Sequence, residues 1–159
     1  MKTNSIGLPI EQSEQLVLSL NKLLSNFQVY YQNLRGLHWN IRGKRFFDLH
    51  IKFEQLYGDA QLKIDEIAER VLTLGGIPLH TFEDYIANNQ LRIGKAIHKD
   101  ELAVQLIIDS LADLLKIERE ILAQSGDVND EGTNSMMSDF IKEQEKTVWM
   151  MKAWLTEEV

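Results

Sequence analysis

The stretch HWNIRGKRFFDLHIKFEQLYGDAQLKIDEIAE, His38 to Glu69, decides how this chain is read. It carries two histidines, His38 and His50, twelve residues apart, and two carboxylates, Asp65 and Glu69, four apart. If His50 through Glu69 is one helix, a rise of 1.5 Å per residue puts about 22 Å between His50 and Asp65. Metal ligands must come within roughly 2.0–2.2 Å of their ion. The two pairs therefore cannot serve one metal within one subunit. Either they are unrelated half-sites or a second subunit completes each one.

The angular arrangement favours the second option. At about 100° per residue, with His50 at zero, Glu54 falls near 40°, Asp65 near 60° and Glu69 near 100°. All four share one face, histidine at one end and the carboxylate pair at the other. Two such helices paired antiparallel about a two-fold axis bring the histidine end of one to the carboxylate end of the other, twice. His38, across a short turn, joins the histidine end. Two imidazoles with two or three carboxylates suit iron: imidazole binds Fe(II), and hard carboxylate oxygens favour Fe(III). Zinc takes the same ligand types, so the ligands alone leave the metal open.

Outward from this stretch, four long apolar periodicities at i, i+3, i+4 spacing predict helices. The first runs from about Ile10 to Asn40 through Leu20, Leu24, Phe27, Tyr31, Leu34 and His38, and breaks at Gly43. The second runs from about Arg45 to Leu74 through Phe46, Leu49, Phe53, Leu56, Ala60, Ile64, Ile67 and Val71, with Gly75-Gly76 and Pro78 as its stop. The third runs from about Lys99 to Gln124 through Leu102, Leu106, Leu111, Leu114, Ile117 and Ile121, ended by Gly126 and an acidic loop. The fourth runs from about Thr133 to Glu157 through Met137, Ile141, Val148 and Leu155. No period-2 alternation persists, so no sheet is expected. The link from Gly75 to His98 is long for a bundle loop and could reach roughly 80 Å extended. It can cross the bundle's length, and Thr81 to Ala87 could form a short extra helix. The expectation is an all-α, ferritin-like four-helix bundle with a long crossover between helices two and three, as a single domain over 1–159.

The 159 residues suffice for one sizeable core, and 44% hydrophobic with 26% charged residues is an ordinary globular composition. The net charge of -7 opposes bulk attraction to nucleic acid or anionic membrane. With no cysteine, disulfides, zinc ribbons and thiol chemistry are excluded. The first fifteen residues hold no signal-peptide core and no run reaches transmembrane length, so the cytoplasm is the expected compartment, with no membrane partner.

Each candidate ligand alone has a plainer reading. A histidine on an apolar stripe is more often core or interface than ligand, and Asp65 and Glu69 at i, i+4 usually mark a solvated face. Lys63, Asp65, Glu66 and Arg70 then read as surface charge. His80 and His98 fall in the crossover and are expected to face solvent. Trp39 reads as core, ahead of any radical-quenching role. Met136, Met137, Trp149, Met150, Met151 and Trp154 read as packing. Only the combined spacing lifts the functional reading. No E-x-x-H pair, Gly-rich phosphate loop or basic tract is present.

At these residues the chain resembles the Dps family of small ferritins. The matching text is LRGLHWNIRG (34–43), FFDLH (46–50), FEQLY (53–57), DEIAERVLTLGGIP (65–78) and VWMMKAWL (148–155). The resemblance implies a hollow homo-dodecamer storing iron, with ferroxidase sites at the two-folds built from His38, His50, Asp65 and Glu69, and Glu54 as an accessory acidic ligand. It also implies hydrogen peroxide as preferred oxidant and protection against oxidative damage. Two departures stand out. The basic N-terminal tail with which some relatives bind DNA is here reduced to Lys2, beside Glu11 and Glu14, and the chain ends Glu157-Glu158-Val159. The T-N-D-M pattern of the family's three-fold pore reads Thr133-Asn134-Ser135-Met136, which shifts the expected pore acids to Asp130 and Glu131. The expected function is an iron-storing ferroxidase handling Fe(II) and Fe(III). The alternatives are a nucleoid-associated DNA-binding protective protein and a helical adhesion or signalling protein with a degenerate site.

Overall fold

A computed structural model of the protein describes residues 1–156. Its elements are α1 (Ile10–Asn40), α2 (Phe46–Thr73), α3 (Phe82–Ala87), α4 (Asp100–Asp127) and α5 (Glu131–Leu155), with no strand among the described residues. α1 packs against α2 and α4, α4 against α5, and α3 lies on α1. This is the expected bundle with its long central crossover.

The apolar stripes fill the interior. Leu20, Leu24, Phe27 and Leu34 of α1 meet Phe53, Ala60, Ile67 and Val71 of α2, Leu106, Leu111, Leu114 and Ile121 of α4, and Met137 of α5, all nearly or fully buried. Two residues assigned to packing do not pack: Leu102 is 57% exposed and Trp149 is 65% exposed.

The helix ends show which residues stop a helix. Gly75, at φ 91°, closes α2 with Gly76 N–H donating to Val71 O and Gly75 N–H to Leu72 O, a Schellman arrangement that satisfies two orphan carbonyls. α4 differs from expectation by running through Gly126 to Asp127. Its stop is Asn129, at φ 59°, with Asp130 N–H donating to Ser125 O and Asn129 N–H to Gly126 O. Asparagine tolerates the left-handed conformation, so it does here what glycine does after α2. α5 begins two residues earlier than its apolar pattern because Asp130 caps it, accepting from Thr133 N–H. Glu157, the expected end of this helix, lies outside the described residues.

The crossover is held by three asparagines of α1, each using both amide atoms. Asn21 donates to Ile77 O and accepts from Leu79 N–H; Asn26 donates to Asn88 O and accepts from Gln90 N–H. Asn33 donates to Arg92 O and accepts from Gly94 N–H. The crossover thus climbs beside α1 in the same direction, and Arg42 N–H donating to His98 O fixes its far end beside the α1–α2 turn. α3 starts at Thr81, whose hydroxyl accepts from Asp84 N–H.

Candidate metal centre

α1 ends and α2 begins around a five-residue turn, Ile41 to Arg45, with Gly43 at φ 120°. That turn lays His38 against His50. The rings stack with centroids 3.7 Å apart and planes 11° from parallel. His38 Nδ1 lies 2.6 Å from His50 O, and His50 Nδ1 lies 2.7 Å from His38 O. A carbonyl oxygen only accepts, so each Nδ1 carries the hydrogen. The lone pair of each ring is then on Nε2, the tautomer a metal-binding histidine needs. Phe46, one turn before His50, stacks on its other side at 4.8 Å, and Tyr57 meets the edge of His38 at 5.4 Å. His38 is buried and His50 half-buried. The sequence placed Phe46 on the apolar stripe of α2 and gave neither Phe46 nor Tyr57 a role beside the histidines. The i, i+4 spacing of Phe46 and His50 was the available signal for the first.

α2 is continuous from Phe46 to Thr73, so Asp65 and Glu69 are indeed remote from His50 in their own chain. Glu54, Asp65 and Glu69 are all exposed, and none enters an ion pair among the described residues. No cluster of three or more His, Asp or Glu among the described residues is placed to hold a metal within one subunit. The structure therefore brings His38 and His50 together, keeps Glu54 one helical turn from His50, and leaves Asp65 and Glu69 far along the outward face. Glu69 borders an open groove of 400 Å³ between α2 and α5, which Asp139 also lines. Trp39 departs from its reading as core: it is 57% exposed, with the Arg35 guanidinium 4.9 Å from its ring centre. His80 and His98 are exposed, as expected.

The two expected pore acids separate. Glu131 is exposed in the first turn of α5. Asp130 is 2% exposed, which corrects its assignment to a pore. Its Oδ1 takes Arg70 at 2.5 Å and Thr133 N–H at 3.1 Å, and its Oδ2 takes the Thr133 hydroxyl. It is a helix cap and ion-pair partner, with no oxygen directed to solvent. Lys63 is a second correction. Read as surface charge, it is 4% exposed and pairs with Asp59 and Glu143, whose side chains are more than half exposed.

Comparison with known proteins agrees with the helical architecture. The ferritin-like domain family matches residues 17–158. The DNA protection during starvation protein of Porphyromonas gingivalis is 40% identical over 150 residues, spanning 94% of each chain. An uncharacterized protein of Haemophilus influenzae is 46% identical, spanning 96% of each. The crystal structure of a Dps protein from Vibrio cholerae O1, described as a member of the ferritin-like diiron-carboxylate superfamily, superposes with a TM-score of 0.96 at 50% identity and covers 98% of both chains. With the family matched over most of its length, the chain belongs to the ferritin-like proteins of the Dps type.

Proposed function

We propose that this chain is one subunit of a hollow homo-dodecamer that oxidises Fe(II) and stores the ferric product, each oxidation site being shared between two subunits. The observation that carries the reading is the histidine pair. Both Nε2 lone pairs are freed by the same two hydrogen bonds, while Asp65 lies about 22 Å and Glu69 about 28 Å along the same helix, on its outward face. His38 and His50 of one subunit and Asp65 and Glu69 of the partner subunit form the site, with Glu54 as an accessory ligand.

The outward face of α2 supports pairing with a second copy. Phe47, Ile51 and Leu62 are 76%, 52% and 67% exposed. Their helical angles, about 60°, 100° and 120° from His50, interleave with those of the acids. Apolar side chains mixed with ligands on one face mark a surface that meets a protein rather than water. Gly58 sits near 80° on this face, close to the midpoint of the antiparallel pairing. A Cβ there would meet nothing within its own chain. Close approach of the second helix gives this glycine its reason.

Iron is the substrate. Two Fe(II) ions release one electron each, and hydrogen peroxide with two protons accepts both to give two waters. Paired delivery leaves no one-electron product, so hydroxyl radical does not escape and nearby macromolecules are protected. The exposed Glu131 and Asp139 offer a path of negative charge toward the site. Among the described residues no helix is long and apolar enough to cross a membrane, and a cytoplasmic setting suits the chemistry.

Binding DNA through a loose basic tail is disfavoured. Asn4 donates to Ser13 Oγ and accepts from Leu8 N–H, and Ile10 N–H donates to Lys2 O, so the segment ahead of α1 folds back on the bundle. The test of the main reading is stopped-flow oxidation of Fe(II) by the purified protein with peroxide and with dioxygen. Faster turnover with peroxide at two Fe(II) per peroxide supports it. Oxidation no faster than in buffer rejects it.

A further inference from the structure

Two buried side chains in the middle of the bundle each leave one oxygen without a hydrogen bond, and the two are bonded to one another. Glu118 of α4 is fully buried and Gln144 of α5 is 5% exposed. Gln144 Nε2 donates to Glu118 Oε2 at 2.6 Å. Glu118 Oε1 and Gln144 Oε1 have no partner. Turning the amide over does not repair this, because Nε2 also donates to Phe140 O at 2.9 Å and a turned oxygen would face that carbonyl. The small cavity beside Gln144 is walled by Phe27, Leu56 and Leu111 as well as by polar groups, and Glu118 does not line it.

Buried polar atoms without partners are uncommon in folded proteins and call for an explanation. Here both are acceptors, and a single hydrogen between them would serve both. An ionised carboxylate and an amide oxygen only accept, whereas a neutral carboxyl also carries an O–H donor. The surroundings favour the neutral form. Lys63 of α2 is engaged by Asp59 and Glu143, and Arg119 of α4 by Glu145. Neither cation forms an ion pair with Glu118. Burial raises the Glu118 carboxyl to about 8, outweighing the Gln144 hydrogen bond, Lys63 and Arg119, which pull it down. From α1 the buried Tyr30 hydroxyl faces the same place, with Asp59 and Glu118 as its acidic neighbours. A buried charge with no counter-ion in contact is costly, and a hydrogen-bonded neutral acid is not.

We propose that Glu118 is held as the neutral acid and donates its proton from Oε1 to Gln144 Oε1, so that carboxyl and carboxamide close a ring of two hydrogen bonds that latches α4 to α5. One proton then satisfies both oxygens. The neighbouring Arg119–Glu145 pair also joins these helices, but both its side chains are half exposed and it holds them weakly. As the pH rises through about 8 the proton passes to water. The ring opens, Gln144 Oε1 loses its donor, and a negative charge appears between the helices. α4 and α5 loosen against each other while each stays helical. The latch does not depend on the iron chemistry proposed above, and its failure would leave that reading untouched.

Infrared spectra of the full chain in D2O test the proton. A protonated buried carboxyl shows a carbonyl stretch above the amide I band, apart from the carboxylate bands. The wild type should show this band at neutral pH and Glu118→Gln should lack it. No such band in the wild type, or the same band in Glu118→Gln, overturns the assignment. Gln144→Met removes the acceptor and should move the band to higher frequency; an unmoved band would mean that the proton is not given to Gln144. The latch itself is read by hydrogen exchange with mass spectrometry, which needs only the wild type and Glu118→Gln. The amide of Glu118→Gln closes the same ring at every pH. Peptides of α4 and α5 should exchange alike in the two proteins at neutral pH, and several-fold faster in the wild type when both are compared at pH 9. Equal exchange at pH 9 overturns the latch.

Discussion

His38 and His50 hold each other through their backbones: each imidazole Nδ1–H donates to the other residue's carbonyl, with the two rings stacked between them. This pair of hydrogen bonds across the α1–α2 turn does two jobs. It satisfies the His38 carbonyl left open near the end of α1, adds a second hydrogen bond to the His50 carbonyl, and fixes both rings in the tautomer that leaves Nε2 free. Losing either histidine therefore loosens the other.

That coupling sets up a complementation experiment. A His38→Ala, His50→Ala variant and an Asp65→Ala, Glu69→Ala variant should each lose fast Fe(II) oxidation. Co-assembled in equal amounts, they should recover about a quarter of the wild-type sites, because each shared site has a one-in-four chance of drawing both intact halves. Mixed particles, verified by mass spectrometry, that stay as inactive as the parents would reject the shared site.

Gly58 tests the pairing without touching a ligand. Gly58→Leu adds bulk to a position that meets nothing in its own chain. Helical circular dichroism should be unchanged while light scattering reports particles smaller than the dodecamer. Full-sized particles would move the two-fold away from the centre of α2.

The caps of α5 separate structure from iron traffic. Asp130→Ala removes the cap of α5 and leaves the Arg70 guanidinium without its partner. A loss of about 2–3 kcal/mol is expected from the missing cap and charged hydrogen bonds, read as a lower unfolding midpoint. Glu131→Gln should leave that midpoint in place and slow iron uptake. Equal uptake rates in wild type and Glu131→Gln across a range of salt would take Glu131 off the path.

Glu118 gives the stability a pH dependence of known sign. Its carboxyl is raised from 4.5 to about 8 in the folded protein by burial. Between those values the folded state holds a proton that the unfolded chain has lost. The stabilisation is full below 4.5 and disappears as the pH rises through about 8. Lys63, whose own value is raised above 10.5 by its bonds to Asp59 and Glu143, stays charged across that window. Glu118→Gln should flatten the fall in thermal midpoint and be more stable than wild type at pH 9. A slope identical to the wild type would mean that Glu118 ionises normally.

The negative net charge and the folded-back N-terminal segment predict no retardation of plasmid DNA at neutral pH and physiological salt. Retardation without added divalent metal would reopen the DNA-binding reading.

Much of this fold is legible because helical apolar spacing is a local signal. Leu20, Leu24, Phe27 and Leu34 declare a buried stripe without reference to any other part of the chain. The same holds for the shared face of His50, Glu54, Asp65 and Glu69, since a helix fixes their relative angles. What stayed hidden depends on partners far away in sequence. Lys63 reads as surface charge until Glu143, eighty residues on, is seen beside it. Asp130 reads as a free acid until Arg70 and Thr133 claim its oxygens. Gly126 attracts attention as a stop, yet Asn129 is the residue that turns left-handed.

The three asparagines of α1 bear on how the chain folds as well as on what it becomes. A long connection between two helix pairs is costly to close in one step, since the entropy lost grows with the length enclosed. Asn21, Asn26 and Asn33 grip the crossover in the order in which it leaves α2. Once α1 and α2 have paired, the first grip encloses only the few residues after Leu74, and each later one adds a short segment. The closure is thereby divided into small steps taken in sequence, like a zip drawn along α1, and α4 arrives with its starting point already set beside the α1–α2 turn.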